Sequence, residues 1–371
     1  MTQAPRPTQR KVSPFSIAVG IIAVIATILL SAAGIYTDWL WFRQLGFEVV
    51  FFTQIAAQVL SFLAGWLVMS ILVGIGLALS WRNRPIYLRL PEASPFQAYQ
   101  QMIESVGKLV RWGLPLGIGV FGGLLVSRQW ESIALWLTGG SFGVADGHFG
   151  LDVGFYVFEL PFLTFAIGYL SGAVLLAGLV NGAVHLIYGG IRITGRDVKV
   201  SKPARVQLTS FVAIYLVLQG VSLWLDQYST VNAAGELFTG VNYTGANAII
   251  PGLQILALIS AAVAVLFVIT AVIGKWRISI IGTALMVVSS VVLGGLYPWL
   301  VQTFQVVPNE RTLEGPFLQK NIDATRIAYG LDQVEVVEYD AKVVAEPGAL
   351  RNDAKTTASI RIIDPALVSD A

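Results

Sequence analysis

Seven long apolar runs, separated by short polar stretches, dominate the chain up to Val301. They are Phe15 to Tyr36, Val49 to Leu79, Leu109 to Val126, Leu160 to Tyr188, Val206 to Leu225, Gly252 to Ile273, and Ile278 to Val301. A bilayer core about 30 Å thick is crossed by roughly 20 helical residues at about 1.5 Å each. The pattern therefore predicts an all-α polytopic membrane helical bundle of seven spans, occupying residues 1–303. The third run is the least apolar, with Arg111 near one end and Arg128 closing the other, and both can snorkel to headgroups. The second and fourth are long enough to tilt. The last two runs are joined only by Gly274-Lys275-Trp276-Arg277, which predicts an antiparallel hairpin. Ser31-Ala32-Ala33 resembles a signal-peptide cleavage site, yet the apolar run around it continues to Tyr36. That is longer than a signal h-region of about 7–15 residues, and the run reads as a span.

Polar residues return after Gln302, and residues 304–371 read as the start of a short, incomplete α/β extracytoplasmic segment. Glu314 to Tyr329 has a helix pattern, with Pro316 in its first turn and Gly330 after its end. Val334 to Tyr339 and Ser359 to Ile363 read as strands. Two strands against one helix make a marginal fold, so this stretch is not expected to fold alone. Between the second and third runs, Ser94 to Arg111 reads as an amphipathic helix with a capping-box start at Ser94, Pro95 and Gln97. Phe96, Tyr99, Met102, Ile103, Val106 and Val110 share one face, which suits the membrane surface.

Charge orients the pattern. Of 24 Lys and Arg residues, 15 fall on alternate segments before, between and after the runs, and only Arg43 and Arg128 fall on the other side. The remaining seven follow the last run. By the positive-inside rule the N-terminus is cytoplasmic and the C-terminus extracytoplasmic, with Ser201 inside and Gly235 and Asp353 outside. Aromatic residues mark the same boundaries, among them Trp39, Trp130 and Trp224 at outer ends and Trp81, Trp112 and Trp276 at inner ends. Within the runs, Gly113/Gly117, Gly119/Gly123, Gly168/Gly172 and Gly178/Gly182 form small-xxx-small steps that suit close helix packing. Composition agrees: 55% of residues are hydrophobic and 12% charged, against about 25% charged in an ordinary soluble domain. A net charge of +2 gives no basis for nucleic-acid binding. With no cysteine, thiolate metal sites and cysteine nucleophiles are excluded.

Chemistry-bearing patterns are sparse. The outer loop from Ser127 to Glu159 carries Asp146, His148 and Asp152, three potential metal ligands interleaved with glycines 143, 147, 150 and 154. A turn in which the carboxylates accept backbone N–H groups explains the same pattern, and no metal or other cofactor is expected. Inside the runs, His185 follows Asn181 by one turn, and Gln54, Gln58 and Gln219 are the other strongly polar residues. Interhelical hydrogen bonding accounts for them, and a substrate path lined by neutral groups is the competing reading. Asn309, Glu310, Glu314, Asn321 and Arg326 are polar enough to form a site, and an ion-paired domain base explains them as well. No Ser–His–Asp order, HExxH or phosphate-cradling glycine loop occurs, so no enzyme activity is expected.

Three spaced segments resemble the bacterial membrane proteins grouped as uncharacterised protein family 0182. They are Tyr36-Thr37-Asp38-Trp39-Leu40-Trp41-Phe42, the stretch Phe149 to Pro161, and Tyr297-Pro298 with Pro308-Asn309-Glu310, Asn321-Ile322, Thr325-Arg326 and Ala328 to Leu331. The resemblance implies seven N-terminal spans and a large extracytoplasmic domain, and it implies no activity. Gly147 and Gly245 stand where that family pattern suggests Pro and Asp. The pattern also runs on beyond residue 371, so the chain reads as truncated. The expectation is a multi-pass protein of the cell membrane whose partners are the bilayer and either envelope proteins or further copies of itself. Its function would be that of a non-enzymatic envelope anchor or scaffold, with a channel or transporter lacking charged residues as the alternative.

Overall fold

The computed structural model describes residues 14–83, 107–194, 197–235 and 237–338, with short pieces at 347–348, 351 and 358–359. The chain divides into two compact units, Met1–Ile322 and Asp323–Ala371. Its helices are α1 (Pro14–Gln44), α2 (Glu48–Arg82), α3 (Gly107–Ser127), α4 (Trp130–Thr138), α5 (Leu160–Ile187), α6 (Lys202–Ser229), α7 (Ile250–Ile273), α8 (Trp276–Val291), α9 (Tyr297–Leu300) and α10 (Glu310–Ala328). A hairpin of β1 (Ile191–Thr194) and β2 (Asp197–Val200) pairs Ile191 with Val200 and Thr194 with Asp197. Among the described residues seven helical stretches are long and apolar enough to cross a membrane, and each overlaps one of the seven apolar runs.

The last stretch runs from Trp276 to Ala328 without interruption, through α8, α9 and α10. Wide π turns carry it past Pro298 and Pro308, whereas Pro316 lies inside α10 without one. Four π turns occur among the described residues: Phe155–Glu159, Gly245–Ile249, Val292–Leu296 and Val301–Val306. Each is followed by one residue and then a proline (Pro161, Pro251, Pro298 or Pro308). In each case the residue before the proline donates its N–H five residues back: Leu160 to Phe155, Ile250 to Gly245, Tyr297 to Val292, and Val307 to Gln302. A proline inside a helix lacks an N–H and presses its ring on the carbonyl four residues earlier. Widening the preceding turn moves that carbonyl aside, so the helix continues where a proline would otherwise break it.

The principal contacts run α3 on α2, α2 on α5, α5 on α6, α6 on α7 and α7 on α8, with α1 against α2. The helices thus form an open row; among the described residues no principal contact joins α3 to α8 and closes a ring. One core cluster joins Met69 and Val73 of α2 to Ala173 and Ala177 of α5, with Ile118 and Phe211 packed against it. Another joins Leu216 to Val263 and Ala264, with Met286 alongside. Glycines set the closest approach. A Cβ on Gly119 would lie 1.9 Å from Ser70 Oγ, and one on Gly123 2.7 Å from the Phe62 ring. A Cβ on Gly178 would meet Phe211 at 3.2 Å, whereas Gly117, Gly168 and Gly172 face open space. Two of the four small-residue steps therefore carry contacts within the chain. The joint of α7 and α8 is the expected hairpin: Gly274, at φ +85°, ends α7 and Trp276 opens α8.

Three expectations change. Val334 to Glu338 form no strand, because none of the described residues offers them a ladder, and Tyr339 lies outside those residues. Ser359 sits in a helical turn with Ala358 rather than in a strand; residues 360–363 lie outside the described set. The helix expected at Glu314 begins at Glu310, as a continuation of the preceding turns. Of the amphipathic helix expected at Ser94 to Arg111, residues 94–106 lie outside the described set, and 107–111 form the first turn of α3.

Candidate functional site

Two loops at the same end of the helix row are built on one plan. The loop at 139–154 leads into a π turn and then α5; the loop at 233–244 leads into a π turn and then α7. Isolated antiparallel bridges, Ala145 with Asp152 and Ala234 with Thr239, pinch each loop. A short polar side chain ties each to its π turn. Asp152 Oδ1 accepts from Gly154 N at 2.7 Å, and Asn242 Oδ1 accepts from Gly245 N at 2.7 Å. Such Asx contacts are the usual means of starting a helical turn.

Asp146 and Asp152 are the hubs of the first loop. Asp146 accepts from the backbone of His148 (2.7 Å), Phe149 (2.9 Å) and Leu151 (3.1 Å) and from the Tyr156 hydroxyl (2.7 Å). Burial pushes its carboxyl up, but the Phe149 amide, the Tyr156 hydroxyl and the other two amides outweigh that and hold it below the ordinary range. Asp152 accepts from Ser141 Oγ (2.5 Å) and from the amides of Phe142 (3.0 Å) and Gly143 (2.9 Å) as well as Gly154. The Ser141 hydroxyl, followed by those amides, lowers Asp152 to about 2. The His148 ring packs edge-on against Phe149, centroids 4.8 Å apart. Burial lowers its pKa, and Lys320 adds to the effect. The two carboxylates thus spend their oxygens on the turn itself. Among the described residues no group of three His, Cys, Asp or Glu side chains is placed to hold a metal ion.

The second loop packs on the start of α10. Both carboxylate oxygens of Glu314 face Tyr243 N, at 3.2 and 3.1 Å. Gln305 Nε2 donates to the Tyr243 hydroxyl (2.9 Å), and Asn321 Nδ2 donates to Thr239 O (2.8 Å). The Thr244 hydroxyl donates to Gln302 Oε1. Ala248, Val301 and Val306 form the buried floor, with Tyr243 and Leu313 against it. Between loop and helix lies a cleft of about 420 Å³, walled by Leu237, Phe238 and Ile249 on its apolar side and by Gln302, Glu310 and Glu314 on its polar side. Of the polar residues singled out in the sequence, Glu310 and Glu314 thus share one cleft and Asn321 pins the loop. Asn309 lies in the turn just before α10, and Arg326 in its last turn.

At the opposite end of the row, a buried polar node crosslinks α2, α5 and α6. Ser80 Oγ donates to Asn181 Oδ1 (2.7 Å) and stands 3.0 Å from Gln207 Oε1. His185 Nε2 lies 2.8 Å from the same Gln207 oxygen, so that nitrogen carries the proton. Gln207 Nε2 donates to Gly76 O (2.7 Å), and Asn181 Nδ2 to Ala177 O (2.7 Å). All four side chains are buried. Sequence spacing had brought His185 and Asn181 together; Ser80 and Gln207, from other helices, carry no local signal.

Comparison with known proteins agrees with the three spaced segments. No solved structure matches the chain. A UPF0182 protein of Clavibacter sepedonicus is 46% identical over 368 residues, covering 99% of this chain and 38% of its own length. Relatives from Kocuria rhizophila and Leifsonia xyli are 44% and 43% identical, over 99% and 94% of this chain and 38% and 36% of their own lengths. The chain therefore spans less than two fifths of these curated relatives. The model of the Uncharacterised protein family (UPF0182) matches residues 15–371, and the chain belongs to that family.

Proposed function

We propose that this chain is a seven-span module of the cell membrane, N-terminus cytoplasmic, that anchors and orients an extracytoplasmic region for assembly or interaction, without catalysis of its own. The observation that carries this is the continuous helix from Trp276 into α10, with a loop clamped on its polar part. The loop at 233–244 grips α10 through Tyr243, Thr239 and Thr244. Lys320 of α10 lies over Gly147 of the other loop. A span held at its base in this way fixes the direction in which the chain leaves the bilayer, which is what an anchor requires.

The open row of helices also favours an anchor over a channel or transporter. A pathway through one copy needs a ring of helices, and among the described residues the principal contacts join the helices in a row. The cavity between α5 and α6 is lined by apolar residues and Tyr215, with no charged group. The buried polar node spends its groups on one another. The test is flux in proteoliposomes containing the purified chain. An anchor leaves the leak of ions and small solutes at the level of empty vesicles; saturable flux would replace this proposal with the transport reading.

A further inference from the structure

The cleft under the loop at 233–244 holds a charge that the chain does not neutralise. Glu314 is only 5% exposed, and its carboxylate shares a single N–H, that of Tyr243. Glu310, one turn earlier, lines the same cleft with a second carboxylate. Like charges four residues apart on a helix repel. Neither glutamate forms an ion pair with a described residue. The N-terminal dipole of α10 does not compensate either, because helical turns from Val301 to Asn309 precede it and leave no free helix end. The Thr244 hydroxyl is spent on Gln302, while the side-chain amides of Asn242 and Gln302, neutral donors, share the cleft with the two carboxylates. Buried carboxylates in native proteins are paired or hold a cation.

We infer that this cleft binds a small organic cation, a primary ammonium on a short apolar stem, with Glu314 as its principal counter-charge and Glu310 as the second. Two features select this class over a metal ion. The described residues supply two carboxylates where a protein-held divalent site takes six or more oxygens, and one side of the wall is the apolar surface of Leu237, Phe238 and Ile249. A cleft of about 420 Å³ has room for a stem as well as a charge. The site shares Glu314 with the clamp on Tyr243, but the flux test and the binding test read the two roles separately.

The probe is butylammonium, titrated by calorimetry into the full chain in phosphatidylglycerol nanodiscs, which contain no amine lipid. The expected result is saturable binding near one per chain, absent for n-butanol and undisturbed by calcium. E314Q weakens binding by about tenfold or more, the loss of one charge-assisted contact, and E310Q weakens it less. E314Q without ligand melts no lower than the unaltered chain, because it relieves an unpaired buried charge; that measurement separates loss of the site from loss of the fold. Loss of butylammonium binding in phosphatidylethanolamine nanodiscs would show the same ammonium chemistry supplied by a lipid headgroup. No binding in either disc, equal binding of n-butanol, or unchanged affinity in both glutamate variants would overturn the inference.

Discussion

Asp152 shows what single residues contribute here. Four donors converge on its carboxylate and hold it at about 2, against an ordinary 3.8. Because the folded value lies below the unfolded one, the unfolded loop binds the proton more readily. The contribution of Asp152 to loop order is therefore complete above about pH 4 and is lost as pH falls through about 2. Amide exchange of Phe142, Gly143 and Gly154, corrected for intrinsic rate, should show protection nearly unchanged from pH 6 to pH 4 and falling progressively between pH 4 and pH 2. Loss of protection already at pH 4 would mean the carboxylate is not held as described. The sequence displayed both readings of Asp146, His148 and Asp152, a metal set and a turn. Only the direction of the N–H groups distinguishes them, and that depends on backbone angles such as the positive φ of Gly143 and Gly150. The Glu314 cleft was less legible. Its carboxylates were visible, but the loop that buries them arrives from some 70 residues earlier in the chain.

At the scale of elements, α2 and α3 meet where glycine leaves room. Gly123→Ala would drive a methyl into Phe62 and the Phe62 carbonyl at 2.7–2.8 Å, and should cost about 1–3 kcal/mol. Gly172→Ala meets nothing within 4 Å and should be neutral or slightly stabilising, since alanine is the better helix former. Thermal unfolding of the two variants in the same detergent checks this contrast; equal effects would mean that α2 and α3 do not pack this way. The node that ties α2, α5 and α6 offers a second contrast. Gln207→Leu removes the acceptor shared by Ser80 and His185 and should destabilise by about 1–3 kcal/mol, the cost of leaving buried polar groups unpaired. An unchanged melting temperature would show that water replaces the glutamine. Apolar length made the seven long helices legible, because a membrane-length run is a property of consecutive residues. The β1–β2 hairpin carried its own alternating pattern, Ile191-Arg192-Ile193-Thr194 against Asp197-Val198-Lys199-Val200, which was masked by the use of its basic residues for orientation. The short helix α4 is only nine residues long, too short for its own apolar periodicity to stand out beside the membrane-length runs. Prolines inside helical patterns hint at the π turns but do not locate them, because Pro115 and Pro316 lie inside helices without one.

For the whole molecule, seven membrane-length helices and the alternation of basic residues predict an orientation, and the proposed anchoring role depends on it. With α10 and its clamping loop outside, the last span presents the following chain to the cell exterior. With the orientation reversed, the same structure would present it to the cytoplasm, and the cleft at Glu314 would sample cytoplasmic amines. The natural absence of cysteine makes the test clean. Single cysteines replacing Lys199 in the β2 strand, Ala233 in the second loop and Asp332 after α10 are all at exposed positions. In intact cells an impermeant maleimide should label Ala233→Cys and Asp332→Cys, and should reach Lys199→Cys only after the membrane is permeabilised. Labelling of Lys199→Cys in intact cells, with Ala233→Cys protected, would contradict the account.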